Sequence, residues 1–214
     1  MKHPFLHAEF LTTAAKWEQL PRGGAPEVAF AGRSNAGKSS VINALAQRSR
    51  LAYVSRTPGR TRHINFFRAR SGALLADLPG YGYAKVPGEM QRSWQTFVSR
   101  YLAERTVLVG LVVVMDARRP MTTLDRNLLD WFLPSGRPVH VLLTKADKVS
   151  ASERRRALEN VSVLIARSYH SAQPSVQMFS ALEHSGIAEA EKTLGDWLVA
   201  EASLKKERPR HQGE

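Results

Sequence analysis

The strongest chemical signal in the sequence is Gly32-Arg33-Ser34-Asn35-Ala36-Gly37-Lys38-Ser39, a G-x-x-x-x-G-K-S spacing between the apolar run Val28 to Ala31 and the segment Ser40-Val41-Ile42-Asn43-Ala44-Leu45. This reads as a strand, a turn and a helix start. Small residues in the turn let several backbone N–H groups and the helix N-terminus converge on one anion, which selects phosphate. Lys38 reaches the terminal phosphates as a point charge. The Ser39 hydroxyl is placed to complete the shell of a Mg²⁺ that bridges two of them. The expected ligand is a magnesium nucleoside triphosphate.

Downstream, Asp77-Leu78-Pro79-Gly80 closes an apolar run, Ala73 to Asp77. In this D-x-x-G spacing a carboxylate at a strand end reaches the magnesium, and the glycine N–H approaches the γ-phosphate. Thr144-Lys145-Ala146-Asp147 follows another apolar run, Val139 to Leu143. The Asp147 carboxylate can accept from N1–H and the exocyclic amine of guanine, two donors that adenine lacks in that arrangement. Two charge-assisted bonds of about 1.5–3 kcal/mol each discriminate by roughly a hundredfold or more. Lys145 would lie along the base and Thr144 would hold the loop. Phe179-Ser180-Ala181-Leu182 comes last, with backbone that can reach the guanine O6.

The elements between these motifs alternate in type. His63 to Ala69, Leu108 to Met115 and Ser175 to Phe179 read as further strands, and Asp116 stands at the end of the second. Glu89 to Glu104 carries Met90, Trp94, Phe97, Val98, Tyr101 and Leu102 at helical spacing, a core stripe. Thr122 to Leu133 is predicted as a helix capped by Thr122 or Thr123, with Leu124, Leu128 and Trp131 on one face. Ser150-Ala151-Ser152-Glu153 is a capping box opening a helix to about Ser168, and Ser185 is expected to cap a final helix carrying Ile187, Leu194, Trp197 and Leu198. The spacing predicts an α/β doubly wound, mostly parallel six-stranded sheet flanked by helices, with the nucleotide motifs at strand C-terminal ends. Residues 1–26 read as an extension packed on a nucleotide-binding domain at 27–204, and 205–214 as a basic, disordered tail.

Composition bounds the partners. The chain has 214 residues, 43% of them hydrophobic, no cysteine and a formal charge of +12. That excludes thiolate metal sites and disulfides, and leaves a reducing compartment open. The start is a poor secretory signal and no apolar run is long enough to span a bilayer, so a cytoplasmic protein with no membrane partner is expected. Between Glu27 and Asp77 there is no acid, while Arg33, Lys38, Arg48, Arg50, Arg56, Arg60, Arg62, Arg68 and Arg70 fall in that interval. Arg154-Arg155-Arg156 lies in the first turns of a helix, where it opposes the dipole. Nucleic-acid binding and a solubilising surface both account for this charge.

The order of the motifs resembles the translation-factor-related P-loop GTPases. Glu27 to Ser40, Pro58-Gly59-Arg60-Thr61 with Asn65-Phe66-Phe67, and Asp77 to Ala84 are similar to the EngB (YihA/YsxC-type) family over nearly the whole chain. The resemblance implies that Gly32, Arg33, Ser34, Asn35, Ala36, Gly37, Lys38, Ser39 and Ser40 hold phosphates together with Gly59, Arg60 and Thr61. It implies magnesium ligation by Ser39, Thr61 and Asp77, γ-phosphate sensing by Asp77, Leu78, Pro79 and Gly80, and base binding by Thr144 to Asp147 with Phe179, Ser180 and Ala181. Lys38, Thr61 and Gly80 are the implied catalytic residues. Tyr81 stands where many GTPases carry the glutamine that orients water, so slow GTP hydrolysis to GDP is expected. Asn35 is either a K⁺ ligand, as in related GTPases, or a choice of loop geometry. The implied function is a switch in large ribosomal subunit assembly, with ribosomal RNA or the subunit precursor as partner and a role in cell division and septation. A monomer is expected. The alternative is a protein-binding signalling or transport GTPase without an RNA partner.

Overall fold

The computed structural model describes residues 3–52, 63–81, 88–169 and 173–207, of which 88–95 and 205–207 are described as backbone only. Gly59, Arg60 and Thr61, the rest of the 57–61 turn, and the loop residues 82–87 lie outside the described residues.

Among the described residues, seven strands form one sheet in the order β1-β3-β4-β2-β5-β6-β7. They are β1 (Glu9–Ala14), β2 (Glu27–Gly32), β3 (Ile64–Arg68), β4 (Leu74–Asp77), β5 (Leu108–Asp116), β6 (Val139–Thr144) and β7 (Ser175–Met178). The helices are α1 (Lys38–Leu45), α2 (Gly88–Glu104), α3 (Thr123–Phe132), α4 (Ala151–Ser168) and α5 (Ile187–Glu207). β2 pairs in parallel with β4 and β5, and the parallel order continues through β6 to β7. Only β3 is antiparallel to its neighbours β4 and β1. The expected count of six strands is therefore one short, because β1 comes from the segment read only as an apolar extension. It joins the edge through backbone pairing, with Thr13 Oγ1 donating to Asn65 Oδ1 at 2.8 Å and Phe10 edge-on to Phe67. A strand half exposed on an edge carries too little apolar alternation to announce itself.

Alternation along the central strands builds two cores. Ala29, Ala31, Leu111 and Val113 face Tyr101, Leu102, Leu129 and Ile165 of α2, α3 and α4. Val28, Phe30, Val112 and Val114 face Ile42 and Leu45 of α1 and Leu194 and Leu198 of α5. The period of two sends neighbouring residues to opposite faces, so β2 and β5 are apolar between Glu27 at the start of β2 and Asp116 at the end of β5. Their C-terminal ends consequently meet solvent between two helix layers, where a ligand fits.

The expected face and cap of α3 are present, and the start of α5 departs from expectation. Leu124, Leu128 and Trp131 do share a face of α3, but Leu124 and Trp131 are exposed and the buried face carries Asp125, Leu129 and Phe132. The offset follows from Asp125, which is held in the interior by hydrogen bonds described below. Ser185 does not cap α5. Its backbone pairs with that of Ser180, and Gly186, at φ +79°, precedes the helix. The helix also continues to Glu207, three residues into the expected disordered tail.

His140 in β6 is buried against β7, with Nδ1 2.7 Å from Ser175 Oγ and Nε2 2.9 Å from Gln177 Oε1. Burial pushes its pKa down, against the opposing effect of those hydrogen bonds. In the unfolded chain the imidazole takes its proton near pH 6.5. The unfolded state thus binds more protons just below that value, and stability is full above about pH 6.5 and falls as pH drops beneath it. Thermal melts between pH 5 and 7.5 should show this slope in the wild type and a flatter one in His140→Gln. Equal slopes would contradict the assignment.

Candidate functional site

β2 ends in Gly32, and residues 33–37 turn the chain into α1. Gly37 sits at φ +98°, in the left-handed region, and Asn35 sits there too at φ +65°. Among residues with a side chain, asparagine is one that tolerates that backbone, so loop geometry alone accounts for its choice. Lys38 at the start of α1 is ion-paired with Asp77 at the end of β4, and both side chains are nearly buried. The turn after Asp77 is fastened to the phosphate turn: Leu78 N–H donates to Phe30 O, Tyr81 N–H to Gly32 O and Ser34 N–H to Tyr81 O, at 3.0, 3.2 and 3.2 Å. A Cβ on Gly80 would stand 3.1 Å from Ser34 N, so a side chain there would push the phosphate turn away by a few tenths of an ångström. The Tyr81 hydroxyl donates to Asp125 Oδ1 at 2.7 Å, and burial beside that carboxylate pushes the phenol pKa far up, which keeps it a neutral donor.

On the neighbouring strands, Thr144 Oγ1 lies within hydrogen-bond reach of Ala36 O and 3.0 Å from Met115 O. Lys145, itself at φ +58°, donates from Nζ to Asn35 O at 2.7 Å and to Asp116 Oδ2 at 2.9 Å. Asp147 Oδ1 accepts from Ser180 Oγ at 2.7 Å, and this bond is the leading cause of its lowered pKa. Ala146 N–H donates to Phe179 O and Phe179 N–H to Leu143 O. Residues 144–147 and 179–181 thus form one interlocked corner that is tied to the phosphate turn. The side chains of Leu78, Ala146 and Phe179 are buried, so these residues present backbone rather than side chain to a ligand.

Residues 27–145 match the family model described as 50S ribosome-binding GTPase. A probable GTP-binding protein EngB of Azoarcus sp. (strain BH72) is 54% identical over 199 residues, covering 93% of this chain and 95% of its own. Another, from Dechloromonas aromatica (strain RCB), is 52% identical over 201 residues, covering 94% and 91%. The chain belongs to the EngB family. A solved EngB structure, a probable GTP-binding protein, superposes with a TM-score of 0.65 at 19% identity over 81% of this chain and 99% of that one. Era bound to MgGDPNP and 16S ribosomal RNA nucleotides superposes at 0.64 with 22% identity, over 81% and 56%. At these identities the structures speak for the fold, and that fold is a P-loop GTPase.

In an EngB-family GTPase a Mg²⁺ is implied. The donor set fits it: the Ser39 hydroxyl and the Asp77 carboxylate are oxygen ligands suited to a hard cation, on adjoining strand and helix ends. Lys38 and Asp77 are paired with each other, and these are the two charged groups that would face the phosphates and the metal. Magnesium would supply charge neutralisation across the β- and γ-phosphates. The chain's own geometry holds Gly80 against Ser34 of the 32–39 turn.

Two members of the site were missed in the sequence. Asp116 was visible only as an acid at a strand end, and Arg118 was not singled out at all. The β5–β6 register sets Asp116 opposite Thr144, which brings Lys145 onto its carboxylate. Arg118 grips the same carboxylate from Nε at 2.9 Å and from Nη2 at 2.6 Å. Burial raises the Asp116 pKa, but the bonds from Arg118 and Lys145 outweigh it, and the net shift is well below the usual carboxylate range. Asp116 therefore anchors the lysine whose stem would flank the base. Asp116→Ala should lower GDP and GTP affinity alike, by about tenfold, since one partly exposed charge-assisted bond is lost. Titration with a fluorescent nucleotide measures it, and unchanged affinity would remove Asp116 from the site.

Proposed function

We propose that this chain binds Mg²⁺ and guanine nucleotide through the residues assembled above, hydrolyses GTP slowly, and uses the cycle as a switch in assembly of the large ribosomal subunit. The observation that carries the nucleotide reading is the locking of Thr144 and Lys145 onto Ala36 and Asn35, which joins base pocket and phosphate turn into one cradle. In this reading Gly32 to Ser40 with Gly59, Arg60 and Thr61 contact phosphate, Ser39, Thr61 and Asp77 serve the metal, and Asp147, Ser180 and Ala181 read guanine. Lys38, Thr61 and Gly80 act in the reaction. The hydroxyl of Tyr81 is committed to Asp125 rather than to a water, which supports slow intrinsic turnover and a group supplied by a partner. A K⁺ near Asn35 would be one such supplied cation.

The ribosomal part rests on the family description, 50S ribosome-binding GTPase, and on the charge of +12. Among the described residues, no helix is long and apolar enough to cross a membrane. We extend the reading to a cytoplasmic monomer, with 27–204 as the GTPase unit and 1–26 as its extension, serving cell division and septation through ribosome supply. The test is co-sedimentation with ribosomal subunits in GDP, GTP and a non-hydrolysable analogue across a salt series. Association with the large subunit in the triphosphate form alone is expected. Association that ignores nucleotide and salt would point instead to a protein-binding switch.

A further inference from the structure

A cavity of about 420 Å³ lies against the phosphate turn, walled by Arg33, Asp116, Arg118, Arg119, Asp125 and Lys145. Lys38, Ser39, Asp77 and Asp147 are not among its lining residues, whereas Ser34, Asn35, Ala36 and Lys145 are, so it adjoins the nucleotide cradle on the side away from the metal ligands and extends past it to Arg119 and Asp125. Four cations face two carboxylates here. Both carboxylates are already engaged. Asp116 is held by Arg118 and Lys145, and Asp125 accepts from Tyr81 through one oxygen and from Thr122 N–H and Oγ1 through the other, at 2.7–2.8 Å. Arg33 and Arg119 are exposed, and neither has an ion pair among the described residues. Two guanidinium forks thus open onto one concavity with no acid left to satisfy them.

We propose that this cavity is a second phosphate-binding site beside the nucleotide cradle, which receives a backbone phosphate of the RNA partner through Arg119, a residue that no nucleotide contact claims. A guanidinium presents paired donors that match phosphate oxygens, and a walled cavity strengthens the attraction relative to a flat surface. The neighbouring surface continues the pattern. α4 starts seven residues after Thr144, and its first turns carry exposed Arg155 and Arg156 at the same end of the sheet. A chain of phosphates can follow such a line of cations, whereas an isolated acidic side chain would meet only one of them. The Asp116–Arg118 pair forms part of the wall, and Arg119 beside it has no acidic partner among the described residues. The position of the cavity beside the phosphate turn places the RNA contact next to the nucleotide. This proposal rests on the RNA-partner reading above.

The test uses the full chain carrying Arg119→Ala or Arg119→Glu, with the charge swap Arg167→Glu in the last turn of α4 as a control for net charge. Affinity for deproteinised large-subunit ribosomal RNA and for the intact subunit is measured across a salt series, together with GDP affinity. Arg119→Ala should weaken RNA binding about three- to tenfold and lower the salt slope by about one, Arg119→Glu should weaken it further, and GDP affinity should hold. Arg167→Glu should do much less. Wild-type binding with a steep salt slope that Arg119→Glu leaves untouched would overturn this site while sparing the RNA reading. Wild-type protein that does not bind RNA at all would overturn both. A variant that loses capture of RNA-free ribosomal proteins but keeps RNA binding would assign the cavity to a protein. Loss of GDP affinity in Arg119→Glu would make the cavity part of the nucleotide pocket and overturn the assignment.

Discussion

Asp147→Ala is expected to lower the affinity for GTP and GDP by roughly a hundredfold or more, and to erase most of the preference for guanine over adenine nucleotides. Two charge-assisted bonds of about 1.5–3 kcal/mol each disappear together, because one carboxylate makes both. The geometry prepares that carboxylate for the task. Ser180 Oγ donates to Oδ1 at 2.7 Å and helps hold the group ionised, and Lys148 stands 3.5 Å from Oδ2. Ser180 keeps an acceptor role without it, since Glu183 N–H donates to its hydroxyl at 3.1 Å. The fold should accordingly survive, and a melting temperature near that of the wild type is part of the expectation. Ser180→Ala removes only the orienting bond and should cost less, about three- to tenfold. Titration calorimetry with GDP and ADP decides the matter: guanine affinity within threefold of the wild type would take Asp147 out of base recognition.

The extent to which the sequence disclosed this site follows from the physics of each part. The motifs 32–39, 77–80 and 144–147 were legible because phosphate and guanine each demand particular residue types at short, fixed spacing, and each motif follows an apolar run that could only be a strand. Asp116 and Asp125 were not legible. Their partners, Lys145 and Tyr81, lie 29 and 44 residues away in the chain, and only the strand order and the seating of α3 bring them together. A long-range polar pair leaves no periodicity behind. The same reasoning covers β1, whose place is decided by a ladder with β3 rather than by its own alternation. It also covers the buried face of α3, where Asp125 lies beside Leu129 and Phe132 and is held by a hydrogen bond from Tyr81. Spacing placed Leu124, Leu128 and Trp131 together on one face, but it carries no sign of a polar residue buried by bonding to another element.

Glu27→Ala should be the most destabilising single change at the end of the sheet far from the nucleotide motifs. Glu27 opens β2, is fully buried, and accepts from Tyr101 Oη at 2.9 Å and from Arg105 Nε at 3.0 Å, with a second bond from Arg105 Nη2. Arg105 also donates to Pro21 O at 2.6 Å, so one carboxylate ties β2, the end of α2 and the segment entering β2. Burial and the neighbouring carboxylate push the Tyr101 phenol pKa well up, which keeps it a neutral donor in need of that acceptor. A buried pair of this kind adds little net stability over a well-packed apolar substitute, yet removing one partner leaves the other's charge without compensation. The loss is about 3–5 kcal/mol, against a total that for domains generally is about 5–15 kcal/mol. For a chain of this size that corresponds to a fall in Tm of roughly 6–20 °C. Arg105→Ala should destabilise by a similar amount, and the double variant by less than the sum of the two, because the second change removes a group the first had already orphaned. Strict additivity would mean that the two side chains stabilise the fold independently. Since β2 delivers Gly32 from its other end, GDP affinity measured well below the lowered Tm should stay near that of the wild type, which separates this effect from damage to the site.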